Sequence, residues 1–175
     1  MNPFAVLGIP PSYELELKAV EEKVRQLSRA LHPDKFISAG ASERRVALSK
    51  AVEVNEAWRI VRNPIQRAEA LFTLGGVAVG ETREPAPGQA FLFEVMELRE
   101  ELADAKSNRD AQTLKRLASD VSRRLESTES ALAAGFRAAH DDSSRLASIV
   151  PTLGQMRFWR RFLDEVSAIE DEMTN

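Results

Sequence analysis

Apolar residues recur every three or four positions along most of the chain, which predicts a protein built from α-helices. The first such set consists of Leu17, Val20, Val24, Leu27 and Leu31. Side chains at this spacing lie on one face of an amphipathic helix, and we place its start near Glu16. Pro33 ends this helix, because its ring disfavours helical backbone at the preceding residue and has no N–H to donate.

A second helical pattern runs from about Glu43 to Arg62. Its predicted inward positions are Leu48, Ala51, Val54, Trp58 and Val61. Ser42 is placed to cap this helix. Two long helices joined by one loop can pack antiparallel, so we expect a helical hairpin with His32-Pro33-Asp34 at its corner.

Short segments flank the predicted hairpin. Pro3-Phe4-Ala5-Val6-Leu7-Gly8 is expected to plug the core as a brief apolar turn. Asn63-Pro64 closes the second helix and opens a third, because asparagine caps well and proline is tolerated at the first helical position. This third helix has an apolar side made of Ile65, Ala68, Leu71 and Phe72. Gly75-Gly76 end it.

Helical periodicity disappears between Gly75 and Gly88, where glycine and proline accumulate as in a linker. We therefore predict a first domain at residues 1–75, a linker at 76–89 and a second domain at 90–175. The second domain opens with a helix whose core-facing stripe is Phe91, Val95, Leu98 and Leu102.

A second apolar set, Leu92, Phe93 and Met96, lies to one side of that stripe. Periodicity alone favours its interpretation as additional core. The alternative is an exposed patch with a charged rim, which suits a partner surface.

Two further helices complete a predicted antiparallel three-helix bundle. The first follows a break at Asn108-Arg109-Asp110, and Gly135, followed by His140-Asp141-Asp142-Ser143-Ser144, is expected to supply its end and the next turn. Its apolar stripe is Leu114, Leu117, Val121, Leu125, Leu132 and Phe136. The last helix is expected to begin near Pro151. Its packing side is predicted to be Leu153, Met156, Trp159 or Arg160, Leu163 and Val166.

Composition and charge narrow the class of protein. Charged residues make up 29% and hydrophobic residues 43% of the chain, which is typical of a globular helical protein. The net charge of -3 gives no general attraction to nucleic acid or to anionic membranes. The absence of cysteine excludes disulfides, thiolate metal sites and cysteine nucleophiles. We expect a cytoplasmic location, since the sequence shows neither a signal-peptide pattern nor an apolar stretch of about 18 residues.

The His32-Pro33-Asp34 corner has two simple interpretations. It could be a capped helix end, with Asp34 accepting backbone hydrogen bonds and His32 near the negative end of the helix dipole. It could also be a catalytic pair, although the chain offers no nucleophile in a recognisable setting. With only two histidines there is little to hold a metal. Arg25 and Arg29, one turn apart, are by themselves typical of a solvated helix face.

The first 75 residues resemble a J domain, the module that stimulates ATP hydrolysis by DnaK-class chaperones. The resemblance rests on the charged helix, on His32-Pro33-Asp34, and on Asn55-Glu56-Ala57-Trp58 in the second helix. It implies that the corner and the basic face of the preceding helix contact the chaperone. The matching positions are Arg25, Arg29, His32, Pro33, Asp34 and Lys35. Leu31 departs from the pattern, because many J domains have tyrosine there, and this affects packing more than contact.

Phe91-Leu92-Phe93-Glu94, running into Met96-Glu97-Leu98-Arg99, extends the resemblance to HscB, the J-domain co-chaperone family of iron-sulphur cluster assembly. Arg62-Asn63-Pro64 and Arg67-Ala68-Glu69 are similar to the end of its J domain. The resemblance implies that the bundle binds the cluster scaffold IscU and delivers it to the chaperone HscA. The implied scaffold-binding residues are Leu92, Phe93, Met96, Glu97, Arg99, Glu100 and Phe158. Some eukaryotic relatives have a cysteine-rich metal site, so the lack of cysteine points to the bacterial form.

The implied protein is an adaptor that catalyses nothing itself and needs no metal, nucleotide or cluster of its own. Two other functions are compatible with parts of the sequence. One is a general J-domain adaptor whose bundle recruits a different client. The other is a small helical enzyme that uses His32 and Asp34, for which the sequence contains no pocket motif.

Overall fold

The computed structural model describes residues 1–37, 39–80, 88–139 and 142–174, and helices are the only regular elements within those ranges. The prediction of an all-helical protein is thus confirmed. The chain divides into two compact units, Met1–Val77 and Ala78–Asn175. Residues 81–87, half of the predicted linker, lie outside the described part of the chain.

The N-terminal unit contains four α-helices and one short 3₁₀ helix. The α-helices are α1 (Pro3–Leu7), α2 (Leu17–Ala30), α3 (Ala41–Arg62) and α4 (Pro64–Leu74), and the 3₁₀ helix is Pro33–Phe36. The predicted apolar plug is confirmed, because α1 packs against α3 and buries Phe4 and Leu7 in the core. The Asn2 side chain accepts hydrogen bonds from the N–H groups of Phe4 and Ala5, at 3.1 and 3.2 Å, which starts this short helix.

Helix α3 differs from its prediction in two respects. It begins at Ala41 after Gly40, with no side-chain cap, so Ser42 lies inside the first turn and does not cap the helix. Leu48 is 57% exposed, whereas Ala47 is buried. Seven residues are close to two full helical turns, so the buried row of Val54 and Val61 continues to Ala47 and leaves Leu48 on another face. The predicted cap of α4 is confirmed, because the Asn63 side chain accepts from Ile65 and Gln66 N–H.

The C-terminal unit consists of α5 (Gln89–Ser107), α6 (Ala111–Ala139), α7 (Ser143–Ser148) and α8 (Val150–Thr174). Helix α6 packs against α5, α7 and α8. The last helix begins next to Pro151, as predicted. Trp159 is buried and Arg160 is exposed, which decides between those two positions. Phe162 is fully buried, whereas the neighbouring Leu163 is only half-buried.

The end of α6 corrects a further prediction. The helix passes through Gly135 and continues to Ala139, and the short helix α7 follows, capped by Asp142. A Cβ atom at Gly135 would lie 2.8 Å from Cγ2 of Ile149. Gly135 therefore permits close packing within the bundle and does not end the helix. His140 lies outside the described residues.

Asp110 begins α6. Its carboxylate accepts hydrogen bonds from the N–H groups of Gln112 and Thr113, both at 3.0 Å, and from the Thr113 hydroxyl at 2.6 Å. These bonds hold the pKa of the Asp110 carboxyl below its usual value, and the bond from the Thr113 hydroxyl has the largest effect. The predicted break at Asn108-Arg109-Asp110 is thus a helix cap as well as a turn.

Candidate functional site

The His32-Pro33-Asp34 corner forms where α2 ends and the 3₁₀ helix begins. His32 has extended backbone, and its Nδ1 accepts a hydrogen bond from the Asp34 N–H at 3.3 Å. The Lys35 N–H donates to the His32 carbonyl at 3.0 Å. The capping group is therefore the imidazole of His32. In this bond Asp34 donates its backbone N–H, whereas the sequence suggested that its carboxylate would accept backbone hydrogen bonds. Asp34 lies in a 3₁₀ helix and not in an irregular loop.

The imidazole and carboxylate of the corner are held close together and face solvent. His32 Nδ1 lies 3.4 Å from Asp34 Oδ2, and the two side chains are 59% and 78% exposed. A nitrogen that accepts an N–H must carry a lone pair, so the neutral ring with this cap has its proton on Nε2. The corner therefore presents an imidazole N–H donor and a carboxylate acceptor side by side.

A basic helix face leads to this corner. Arg25 and Arg29 are exposed on α2, and Lys35 is exposed in the 3₁₀ helix. Arg25 donates to Glu21 at 2.7 Å, but both side chains are well exposed, and a pair of this kind contributes little and exchanges easily with solvent. All six residues predicted to contact a chaperone are thus exposed within one continuous stretch, from Arg25 to Lys35.

The second surface lies on α5. Leu92, Phe93 and Met96 are 44%, 64% and 65% exposed. The interpretation of these residues as additional core is therefore wrong, because none of the described helices of this unit buries them. We call these three residues the α5 patch. Glu97, Arg99 and Glu100 are also exposed on this helix, so the patch has the charged rim of the alternative prediction.

Phe158 of α8 belongs to an aromatic cluster at the contact between α5 and α8. Its ring centroid lies 5.7 Å from Phe91 and 5.1 Å from Trp159, both in edge-to-face geometry. Phe158 is half-buried, whereas Trp159 and Phe162 are buried. Aromatic rings in such contacts stabilise one another beyond the area they bury. Phe158 is therefore a partly exposed ring of this cluster, next to the helix that carries the α5 patch.

Two arginine–glutamate pairs join helices around this cluster. Arg99 of α5 pairs with Glu165 of α8, and Arg124 of α6 pairs with Glu94 of α5 at 2.6 Å. The Arg99 guanidinium lies 5.6 Å from the ring centroids of both Phe158 and Phe162. Sequence reasoning predicted Arg99 but missed Glu94, Arg124 and Glu165, because side chains distant along the chain give no periodic signal.

Other chemistry in the described residues is sparse. No group of three metal-binding side chains lies within those ranges, and none of the helices described is long and apolar enough to cross a membrane. A hydrogen bond from Arg59 lowers the pKa of the Glu56 carboxyl, and one from Arg123 lowers that of Asp120. Both are ion pairs on a helix surface, as charged helix faces commonly form.

Comparison with known proteins shows that both surfaces belong to one protein family. Residues 88–167 match the model of the HscB C-terminal oligomerisation domain. A co-chaperone HscB homologue from Haemophilus influenzae is 30% identical over 173 residues, covering 98% of this chain and 97% of that protein. The chain belongs to the HscB family of co-chaperones.

Solved structures of HscB confirm the fold class. Chaperone HscB from Vibrio cholerae superposes with a TM-score of 0.82 at 26% identity, and the match covers 99% of both chains. Human co-chaperone HscB gives the same TM-score at 22% identity over 96% of this chain and 81% of that one, and it supports the fold alone. HscB structures have an N-terminal J domain and a C-terminal helical bundle. The predicted architecture and the predicted resemblance are both confirmed.

Membership of the HscB family also gives the general role. Its members are named co-chaperones, proteins that assist a chaperone and are not themselves named as enzymes. The exposed corner lies in the part of the chain that corresponds to the J domain, and the α5 patch lies within residues 88–167, which match the C-terminal family model.

Proposed function

We propose that this HscB protein stimulates the ATPase of a DnaK/HscA-class chaperone through its corner and delivers an IscU-type scaffold to that chaperone through the α5 patch. The iron-sulphur cluster would travel on the scaffold as cargo. The adaptor itself acts by binding alone and uses no cofactor of its own, and we infer that it works in the cytoplasm.

The observation that carries this proposal is the exposure of Leu92, Phe93 and Met96 on one face of α5. Three large apolar side chains in contact with water are unfavourable unless a partner covers them, at roughly 25 cal/mol for each Å² buried. A scaffold that covered them would also meet the half-buried Phe158 and the carboxylates of Glu97 and Glu100. The predicted scaffold site therefore combines an apolar centre with a charged rim, to which Arg99 also belongs.

The corner supports the other half of the proposal by its charge. Arg25 and Arg29 on α2 and Lys35 in the 3₁₀ helix are exposed cations near His32 in the chain, and they suit an acidic surface on the chaperone. The paired donor and acceptor of His32 and Asp34 could then bond to main-chain or side-chain groups at that surface. Pro33 fixes the backbone at the start of the 3₁₀ helix, so these groups are arranged before binding.

Linking both surfaces in one chain gives the adaptor its effect. A scaffold bound to the α5 patch is held near the chaperone that binds the corner, so its local concentration there rises without any new contact. The same logic applies to a general J-domain adaptor with a different client. The two functions differ only in what the α5 patch binds.

Binding of purified scaffold distinguishes these two functions. We expect Leu92→Ser combined with Met96→Ser to weaken scaffold binding at least tenfold in titration calorimetry, because a polar hydroxyl replaces each exposed apolar group. The matched control is Leu48→Ser with Val52→Ser, a pair of apolar residues on α3 that is 57% and 60% exposed. The control variant should bind scaffold like the wild type. Equal binding by the wild type and the α5 variant would leave only the general adaptor.

A further inference from the structure

Arg99 differs from the other predicted scaffold-binding residues because its charge is paired with a residue on another helix of the same chain. The partner is Glu165, and the two side chains are 43% and 44% exposed. Its guanidinium also stands over Phe158 and Phe162, with 5.6 Å to each ring centroid. One guanidinium nitrogen of Arg99 thus donates to α8, while the guanidinium carbon lies within cation–π range of two aromatic rings.

Phe158 is the residue that gains from this arrangement. Phe91 and Trp159 contact the ring edge-to-face at 5.7 and 5.1 Å, and Phe162 lies 6.1 Å away. These rings leave part of Phe158 open to solvent, and Arg99 covers another part of it. A half-buried ring held on several sides loses less conformational freedom when a partner binds it.

Resting on the proposed scaffold-binding function, we propose that Arg99 is a positioning residue. With Glu165 it fixes the ring of Phe158 beside the α5 patch, and it acts on the scaffold through that ring and not by direct contact. Glu165 thereby joins the scaffold-binding machinery as a second positioning residue, although it belongs to none of the predicted contacts.

Scaffold affinities in a mutant cycle test this proposal. Arg99→Gln and Glu165→Gln should each weaken scaffold binding about three- to tenfold, which is the range of an exposed ion pair with a cation–π contact. The double variant should lose no more than either single variant, because both changes break the same interaction. In a Phe158→Ala background, neither change should reduce affinity further.

The helices provide a matched control. Lys106 of α5 pairs with Glu172 of α8 at 3.2 Å, between the same two helices and seven residues further along each. Glu172→Gln removes an equal charge from an equivalent pair that touches none of the aromatic rings described above. It should leave scaffold affinity unchanged. If Glu172→Gln weakened scaffold binding as much as Glu165→Gln does, the cause would be the lost charge or the weaker contact between the helices. That result would overturn the proposal.

A second readout needs no scaffold. The aromatic resonances of Phe158 in the free protein should shift towards random-coil values in Glu165→Gln and stay in place in Glu172→Gln. Unchanged resonances in Glu165→Gln would overturn the positioning role. Direct contact between Arg99 and the scaffold predicts instead that Arg99→Gln weakens binding in the Phe158→Ala background too.

The two readouts separate failure of this proposal from failure of the proposed function. If the wild type binds no scaffold, the proposed function fails, and the effect assigned to Arg99 on the scaffold fails with it. If the wild type binds but Glu165→Gln binds equally well, the scaffold function stands and the positioning role is wrong.

Discussion

The corner and the α5 patch differ in chemistry and in how each is supported. The corner is polar, and its shape comes from bonds between neighbours, since His32 caps the 3₁₀ helix through the N–H of Asp34. The patch is apolar, and the pair that borders it, Arg99 with Glu165, joins residues 66 positions apart. The hydrogen bonds of the corner are thus local, although its 3₁₀ helix also contacts α3, whereas the ion pair beside the patch joins two helices of the bundle.

This difference explains why the two surfaces respond to different changes. Charged groups in solvent are screened by salt and tolerate changes in the core, as long as the local backbone is kept. An apolar face ignores salt and depends on the packing beneath it. Changes to the bundle core, to the His32 imidazole and to the salt concentration should therefore affect the two surfaces unequally.

Loss of the bundle core should affect the patch and spare the corner. Phe162 is fully buried under the aromatic cluster, so Phe162→Ala is expected to cost about 3–5 kcal/mol of unfolding free energy. Scaffold binding should be lost, while stimulation of the chaperone without scaffold should persist, because the corner belongs to the other compact unit. Thermal denaturation and ATPase assays check both results. Equal loss of both functions would show that the surfaces share one support.

Removal of the imidazole should have the opposite effect. His32→Gln is expected to reduce stimulation of the chaperone ATPase at least tenfold, roughly 1.4 kcal/mol or more, and to leave scaffold affinity unchanged. Lys115→Gln, at an exposed position on α6, is the control and should retain full stimulation. Equal stimulation by wild type and His32→Gln would show that the corner does not act on the chaperone ATPase.

Close packing in the bundle predicts a smaller effect at Gly135. Alanine normally stabilises a helix interior by about 0.5–1 kcal/mol relative to glycine. Here its Cβ would lie 2.8 Å from Ile149, and overpacking costs about 1–3 kcal/mol. Gly135→Ala should therefore be net destabilising by roughly 1 kcal/mol in urea denaturation, and Ile149→Ala should relieve the clash.

The neighbouring position supplies the control for that measurement. Ala134 is exposed on the same helix, so Ala134→Gly should destabilise by helix propensity alone, about 0.5–1 kcal/mol. Stabilisation by Gly135→Ala would mean that the chain relaxes around the methyl group and that Gly135 has no packing role.

Ionic strength should separate the two interfaces by the smallest margin. Between 0.05 and 0.5 M salt, affinity for the chaperone is expected to fall a few-fold, since the screening length around exposed cations such as Arg25 and Arg29 shortens from about 14 to about 4 Å. Scaffold affinity should change little over the same range, because burial of apolar surface dominates it. Titrations at both salt concentrations check this. A steeper salt dependence for the scaffold would reverse the assignment of polar and apolar interfaces.

The contrast between local and distant interactions also explains what the sequence could predict. The helical segments, the proline stop and the Asn63 cap depend on neighbours in the chain, and their prediction succeeded, whereas the predicted Ser42 cap did not form. Leu48 and Ala47 differ by one position in the helical rotation, which a pattern with apolar residues at both cannot resolve.

The remaining differences have a tertiary cause. The sequence near Leu92, Phe93 and Met96 does not show that these side chains stay exposed in the folded unit. Gly135 has the residue type of a helix end, but Ile149 occupies the space that a side chain would need. Glu165 was not predicted because its relation to Arg99 exists only in the folded bundle.

If one chain must carry both surfaces, a mixture of two variants that each lack one surface cannot replace the wild type. Steady-state ATPase of the chaperone is measured at sub-saturating scaffold with wild type, with His32→Gln, with Leu92→Ser plus Met96→Ser, and with an equimolar mixture of the two variants. The mixture should stimulate no more than the patch variant alone, because neither variant can hold the scaffold at the chaperone. Wild-type activity of the mixture would show that the two surfaces can act from separate chains.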